Sequence, residues 1–486
     1  MREEALIPRN SARIRQTLHI PVCGAWPITA AQYLRTLWLI RFSSLSSKLI
    51  TVTPDNRNSS PPFSALQRRD FLTRSSLAIA AAAVDVFPSI TSGKNLVEPL
   101  KLALVGCGGR GAGAASQALT ADANLRLVAA ADLFEDRLAP ALGGLQAKHG
   151  DQVDVPAARR FFGFEGYKQA IALADVVILA TPCAFRPAHF EEAVRLGKHA
   201  FLEKPVAVDA PGVRRVLKAA EEARRKRLKV AVGFQRRHKR GFQEMIKRIH
   251  DGQIGELVYT RAFANTPLRT GLVRRPELGE LEYQCRNWYY FSWLSADFIV
   301  DNLVHGIDIS NWIHGAYPVR AHGMGALSER SPDYGDLFDH FAVEWEYPSG
   351  ARLFGECDRR PGCWASVTNH AVGSLGRADF LDGREVYSIQ GRNPWEMKVP
   401  RGENPYQLEH DDFFKAIRED LPYDETDYGA KSTMTAIMGR MAAYTGQEVT
   451  WEHMLKSQEN IFPEHLSLNM ELPVAPIASP GKYRLV

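Results

Sequence analysis

Cysteine is scarce in this chain: six in 486 residues (Cys23, Cys107, Cys183, Cys285, Cys357 and Cys363), with no CxxC pair among them. That scarcity argues against a structural zinc site and against a disulfide-dependent scaffold. Cys357 and Cys363 are close enough in sequence to pair in an oxidising compartment, and their spacing does not decide it. Apolar stretches long enough to span a bilayer are also missing. The best of them, Leu77–Val84, is far shorter than a transmembrane helix. A strong excess of one charge is lacking too. The net +5 traces to the first 74 residues, where eleven Lys and Arg face four Asp and Glu, and the remainder is slightly acidic. No nucleic-acid partner is therefore expected. With 45% hydrophobic and 24% charged residues over this length, two globular domains with an extension are expected.

The extension divides into two parts. Residues 1–65 carry scattered arginines and the cluster Ser59-Ser60-Pro61-Pro62 without periodicity, and are expected to be a disordered extension or an over-extended start. Residues 66–98 contain Arg68-Arg69-Asp70-Phe71-Leu72, then Thr73-Arg74-Ser75-Ser76 and the alanine-rich run to Val84. This resembles a twin-arginine export signal, which implies a periplasmic or otherwise exported protein, or a cytoplasmic one if the signal is unused. After Met1 the next methionine is Met245, so a later start would need another codon.

Chemistry begins at residue 100. The apolar run Leu100–Val105 predicts a buried parallel strand and leads into Gly106-Cys107-Gly108-Gly109-Arg110-Gly111, followed by an alanine-rich helix over Ala112–Leu119. This is G-x-G-x-x-G in its proper setting. Gly106 makes the tight turn, Gly108 lets the backbone approach a pyrophosphate, and Gly111 lets the helix pack on the strand. The helix N-terminus offers unpaired N–H groups to the phosphates. A second run, Leu125–Ala131, ends in Asp132, 21 residues past Gly111, where a carboxylate accepts from the ribose hydroxyls and repels a 2′-phosphate. NAD rather than NADP is expected.

Further runs at Asp175–Thr181, His199–Glu203 and Lys229–Phe234 alternate with helical stretches. One of these starts near Pro187 and ends at Gly197, and another is capped by Asp209 with Pro211 behind it. This alternation predicts an α/β fold: a Rossmann, doubly wound parallel sheet over residues 99–234. Glu203-Lys204-Pro205 follows the strand at 199–203. Ligands in such sheets bind beyond the carboxyl ends of strands, so Lys204 faces the expected nicotinamide crevice. From Gln235 to about 462 the pattern changes. Glu256–Phe263, Val319–Leu327, Phe341–Tyr347 and Ala351–Glu356 read as strands of a C-terminal α+β domain with a largely antiparallel open sheet. His410–Glu419 and Tyr428–Tyr444 read as helices, and 463–486 as an extended tail. The basic run Arg236–Arg240 suits either substrate positioning or solvated charge, and the aromatic cluster at 288–293 suits either core or sugar stacking.

Over about residues 99–456 the chain resembles the Gfo/Idh/MocA (glucose-fructose oxidoreductase, inositol dehydrogenase) family. The resemblance rests on an ordered set: the loop 106–111, Asp132, Thr181-Pro182, Glu203-Lys204-Pro205, Gly233-Phe234-Gln235-Arg236-Arg237, Asp301-x-x-x-His305-x-x-Asp308, Met438-Gly439-Arg440 and Ala442–Gly446. Arg286-Asn287-Trp288-Tyr289 further resembles the exported branch. The resemblance implies an NAD(P)-dependent oxidoreductase acting on CH–OH groups of a sugar or polyol, in a homo-oligomer. It implies that Lys204, Asp301 and His305 are catalytic and that Lys204, Arg237, His305 and Asp308 meet substrate. The cofactor would meet Gly106, Gly108, Gly109, Arg110, Gly111, Asp132, Thr181, Pro182, Glu203, Lys204 and Gln235. On the chemistry, alcohol oxidation sends a hydride to NAD and a proton to the protein; a histidine accepts such a proton. Asp301, four residues before His305, would share its helix face and either orient it or stabilise the charged imidazolium. Lys204 would hold the substrate oxygen and damp the developing alkoxide. Two other functions stay open: an NAD-dependent glycosidase with no net redox change, and a non-catalytic NAD-binding sensor.

Overall fold

The computed structural model describes residues 98–486 except 269, 270, 276, 329, 330, 332, 333, 464, 468 and 469. The extension, the twin-arginine segment and Cys23 lie outside the described residues.

Six short strands form the first sheet: β1 (Leu100–Val105), β2 (Leu125–Asp132), β3 (Arg160–Phe162), β4 (Val176–Leu179), β5 (His199–Leu202) and β6 (Val230–Val232), in the order β3-β2-β1-β4-β5-β6. Every pairing is parallel. Strands β1, β4 and β5 read as apolar runs because helices cover both faces; Leu102, Ala103, Val176, Val177 and Phe201 are fully buried. The strand order reverses between β1 and β4, which opens a crevice at the carboxyl ends of these two strands. The helix Ala210–Arg225 starts as expected, with Asp209 accepting from Gly212 N at 2.8 Å.

The second sheet has nine strands: β7 (Leu257–Asn265), β8 (Arg320–Ala326), β9 (His340–Glu346), β10 (Arg352–Asp358), β11 (Ser366–Gly373), β12 (Gly376–Leu381), β13 (Val386–Gly391), β14 (Trp395–Lys398) and β15 (Val449–Thr450). The order is β14-β13-β12-β11-β7-β10-β9-β8-β15, antiparallel except for the central β7–β10 pair. The expected open, largely antiparallel sheet is therefore present, with five more strands, β11 to β15, than the sequence pattern reveals. One face packs on the helices Val304–His314 and Thr426–Thr445, where Trp345 Nε1 donates to Thr435 O at 3.0 Å. The other face leaves Val258, Met324 and Phe354 exposed.

The chain returns to the first sheet twice. The helix Pro405–Arg418, capped by Asn404, packs on the helix Gly109–Ala121. Val230 and Asp424 then form a parallel bridge at the edge of β6. The tail beyond 462 forms no helix or strand among its described residues, yet Gly481 N donates to Thr445 O at 2.8 Å and Tyr483 Oη to Glu459 at 2.6 Å. Cys357 is buried in β10 while Cys363 is exposed, and both are free thiols. No helix among the described residues is long and apolar enough to cross a membrane.

Candidate active site

The crevice at the ends of β1 and β4 is a groove of about 980 Å³, open to solvent. Its floor is the glycine loop. Gly106 has φ +98°, and a Cβ there would lie 2.5 Å from Thr181 N; a Cβ on Gly111 would lie 1.9 Å from Gly106 O. A Cβ on Gly108 or Gly109 would touch nothing in the protein, so these two keep open space over the N-terminus of the helix Gly109–Ala121. No side chain caps that helix, which leaves its first N–H groups to the groove. Asp132, at the end of β2, accepts from Cys107 N (2.7 Å) and Phe134 N (3.0 Å). Burial raises its pKa, those two N–H groups oppose the rise, and lone pairs remain for further donors. Phe134, Arg137, Tyr167 and Trp288 wall the groove. The empty cradle at Gly108, the bare helix end and the carboxylate at Asp132 fit a dinucleotide.

A second cavity, about 800 Å³, adjoins the groove and shares Arg110, Ala180, Thr181 and Trp288 with it. Lys204 enters here from the end of β5, and the Lys204–Pro205 peptide is cis. Its Nζ donates to Asp301 O at 2.8 Å and lies 3.6 Å from Asp301 Oδ1. Asp301 ends the short helix Phe298–Asp301, which is set by a turn with positive φ at Ala296 (+64°) and Asp297 (+78°). The Asp297 carboxylate holds Phe298 N and Phe338 N and accepts from Tyr444 Oη; burial lifts its pKa to about 7. His305 follows in the next helix, Val304–His314, with its ring edge-on to Phe234 and its Nδ1 buried without a partner. Burial, and then the charges of Lys204 and Arg236, push its pKa well below 6.5, so the ring is neutral at neutral pH. Gln235 donates to Tyr406 Oη at 3.0 Å, and Glu203 pairs with Arg110 at 3.0 Å. Tyr289 Oη sits between Asn302 and Arg359.

Known proteins share this architecture. The model of the oxidoreductase family with an NAD-binding Rossmann fold matches residues 100–234, and that of the GFO/IDH/MocA C-terminal domain matches 242–378; together they span more than half of the chain. The chain belongs to the Gfo/Idh/MocA oxidoreductase family. It is 28% identical over 301 residues to an inositol 2-dehydrogenase of Rhizobium meliloti, covering 62% of this chain and 78% of that protein. The fold matches aldose-aldose oxidoreductase from Caulobacter crescentus (TM-score 0.57, 18% identity, 73% of this chain and 100% of that one). It also matches myo-inositol 2-dehydrogenase from Lactobacillus plantarum (TM-score 0.56, 20% identity, 73% and 99%). An NAD-binding Rossmann fold and the enzyme class, an oxidoreductase acting on CH–OH groups, come with the family.

Within this Gfo/Idh/MocA member the structure brings Lys204, Asp301, His305, Gln235, Glu203 and Thr181 to one cavity, and Gly106, Gly108, Gly109, Arg110, Gly111, Asp132 and Pro182 to the groove. Three expectations need correction. Asp301 does not orient His305: the helix breaks at Asn302 and Leu303, so the carboxylate turns to Lys204. Arg237 and Asp308 do not line the cavity. They bind each other through two 2.8 Å contacts, Ser432 donates to Asp308, and the guanidinium lies over Tyr428 and Trp312. Most of the basic run is neither solvated nor turned to substrate, because Arg236 and Lys239 share Asp382 and His238 meets Asp412 at 2.7 Å; Arg240 alone is exposed. The aromatic cluster divides: Trp288 and Tyr289 line the cavity, while Tyr290, Phe291 and Trp293 are core. Sequence reasoning missed Tyr406 and Arg186. Asn404-Pro405 signals only a helix start, and Arg186 stands beside Pro187 in a segment read for its helix alone.

Proposed function

We propose that this protein oxidises a hydroxyl carbon of a sugar or polyol with NAD, reversibly, in the cavity walled by Lys204 and His305. Bound NAD would supply the hydride acceptor. The observation that carries the reading is the ammonium of Lys204, fixed by Asp301 in the cavity that adjoins the dinucleotide groove. One proton of Nζ is used on Asp301 O, which leaves others to hold the substrate oxygen and stabilise it as it loses its proton. His305, neutral and within the same wall, takes that proton. Asp301 acts through Lys204, offsetting its charge and fixing its direction. Gln235 and Tyr406 form the opposite edge and orient what enters. Asp132 favours NAD over the 2′-phosphorylated cofactor by repulsion. The test is purification of the folded chain with NAD and a screen of polyols and sugars for NADH formation. Dinucleotide binding without any turnover across that screen would remove the reading.

The proposal extends to export and self-association. Export is supported by Arg68-Arg69 and the run behind them, and is tested by Arg68→Lys with Arg69→Lys in cells, which should hold the protein in the cytoplasm. Self-association is supported by the exposed Val258, Met324 and Phe354 on the open face of the second sheet, and light scattering on the purified protein tests it.

A further inference from the structure

Four arginines among the described residues are more than nine-tenths buried: Arg186, Arg236, Arg359 and Arg440. Two have a carboxylate partner, Arg236 with Asp382 at 2.6 Å and Arg440 with Glu459 at 2.7 Å. Of the two that have none, Arg186 lines the cavity and Arg359 stands behind its wall. Arg186 gives its guanidinium to three backbone carbonyls: Leu179 O (3.3 Å), Pro205 O (2.6 Å) and Thr181 O. Arg359 stands behind the cavity-lining Tyr289, donating to Tyr289 Oη at 3.4 Å and to Thr266 Oγ1, with its Nε buried and unpartnered.

Nearby acids do not neutralise them. Glu203 is taken by Arg110 and Asp301 by Lys204, while Asp358, next to Arg359 in the chain, is taken by Arg360 at 2.7 Å. The cavity wall thus holds three cations, Arg110, Arg186 and Lys204, against two carboxylates, Glu203 and Asp301, with His305 neutral. A desolvated cation without a counter-ion is costly, and a fold that keeps one in the cavity wall and another just behind it gains most when an anion arrives. Because both guanidinium groups are buried, their attraction for an anion is less screened by salt than that of a surface pair.

Resting on the redox reading above, we infer that the substrate is a sugar acid, carrying a carboxylate near the hydroxyl carbon that is oxidised. The carboxylate is a spectator: the carbinol loses a hydride to NAD and a proton to the protein, and the charge is unchanged from substrate to product. Arg186 and Arg359 are positioning residues: Arg186 in the wall braces its backbone, Arg359 holds Tyr289 from behind, and together they supply the field that draws the acid in. A neutral polyol of the same shape enters without that gain.

The experiment compares matched pairs on the full chain with NAD: galacturonate against galactose, and glucuronate against glucose, with glucose 6-phosphate as a second anion. Calorimetry of each on the enzyme·NADH complex accompanies the kinetics. The acid should exceed its neutral partner about 10–100-fold in kcat/KM, mostly through KM. Arg359→Gln should remove about tenfold of that preference, read as the ratio of acid to neutral sugar, and Arg359→Lys, which keeps the charge, should restore most of it. Should Arg359→Gln not fold, the wild-type ratio and Arg359→Lys still decide. Equal or better turnover of the neutral sugars, a preference for the phosphate, or no acid binding to enzyme·NADH would overturn the inference and leave the redox reading standing. A folded chain that binds no dinucleotide would remove both.

Discussion

Lys204 Nζ rests 2.8 Å from the backbone oxygen of Asp301 and 3.6 Å from its carboxylate, across 97 residues of sequence. The contact ties the end of β5 to the helical segment that also delivers His305, so one ion pair fixes the reacting corner of the cavity. Lys204→Met should lower kcat/KM by about 10²–10⁴-fold, with dinucleotide affinity changed only a few-fold by fluorescence titration. Asp301→Asn keeps the backbone contact and loses only the charge, so its loss should be smaller, about 10–100-fold. Equal effects of the two would show that Asp301 does more than hold Lys204.

The pH dependence has a definite sign. Burial and two neighbouring cations make protonation of His305 harder, so its titration lies well below 6.5 and activity should hold level through neutral pH down to that acid limb. Removing one of those cations with Lys204→Met should move the titration back up towards 6.5. NMR of the histidine ring carbons reads this without turnover. A wild-type value at or above 6.5 would contradict the assignment.

The glycine loop separates binding from folding. Ala at 108 meets open space, so Gly108→Ala should leave the melting temperature unchanged and cut dinucleotide affinity about 10–100-fold by filling the cradle. Gly111→Ala places a methyl 1.9 Å from Gly106 O and should destabilise the fold by about 1–3 kcal/mol, seen in thermal melts.

This division explains what was legible in the sequence. The placement of the glycine loop, Asp132 and Lys204 is legible because parallel strands buried on both faces read as apolar runs, and these residues stand at the strand ends. Strands such as Val386–Gly391 and Trp395–Lys398 were not found, because short hairpin strands with one exposed face carry few apolar positions. The helix Arg240–His250 was hidden by the basic run before it, although Phe242, Met245, Ile246 and Ile249 form its buried stripe. Asp301 was assigned the wrong partner because a four-residue spacing implies a shared face only on an unbroken helix. Arg359 and Tyr406 meet partners 93 and 171 residues away along the chain, and no local pattern marks such contacts; Arg186 meets only backbone carbonyls, which leave no mark on the residue types.

Arg237 and Asp308 should behave as structure. Asp308 is 1% exposed, and its removal leaves a guanidinium stacked between Tyr428 and Trp312 without a counter-charge. Asp308→Ala should cost about 3–5 kcal/mol in urea unfolding, with turnover per folded molecule largely kept. A stable variant with a raised KM would return the pair to the substrate site.

The most direct test of the redox assignment follows the hydrogen itself. A substrate found by the screen is labelled with deuterium at the reacting carbon and incubated with the enzyme and NAD, and the nicotinamide is examined by NMR. Deuterium should appear at C4 of the ring with the wild-type chain and not with Lys204→Met, although both hold the dinucleotide. Deuterium that goes to water instead, or a label that stays on the substrate while NAD is bound, would contradict hydride transfer at this site.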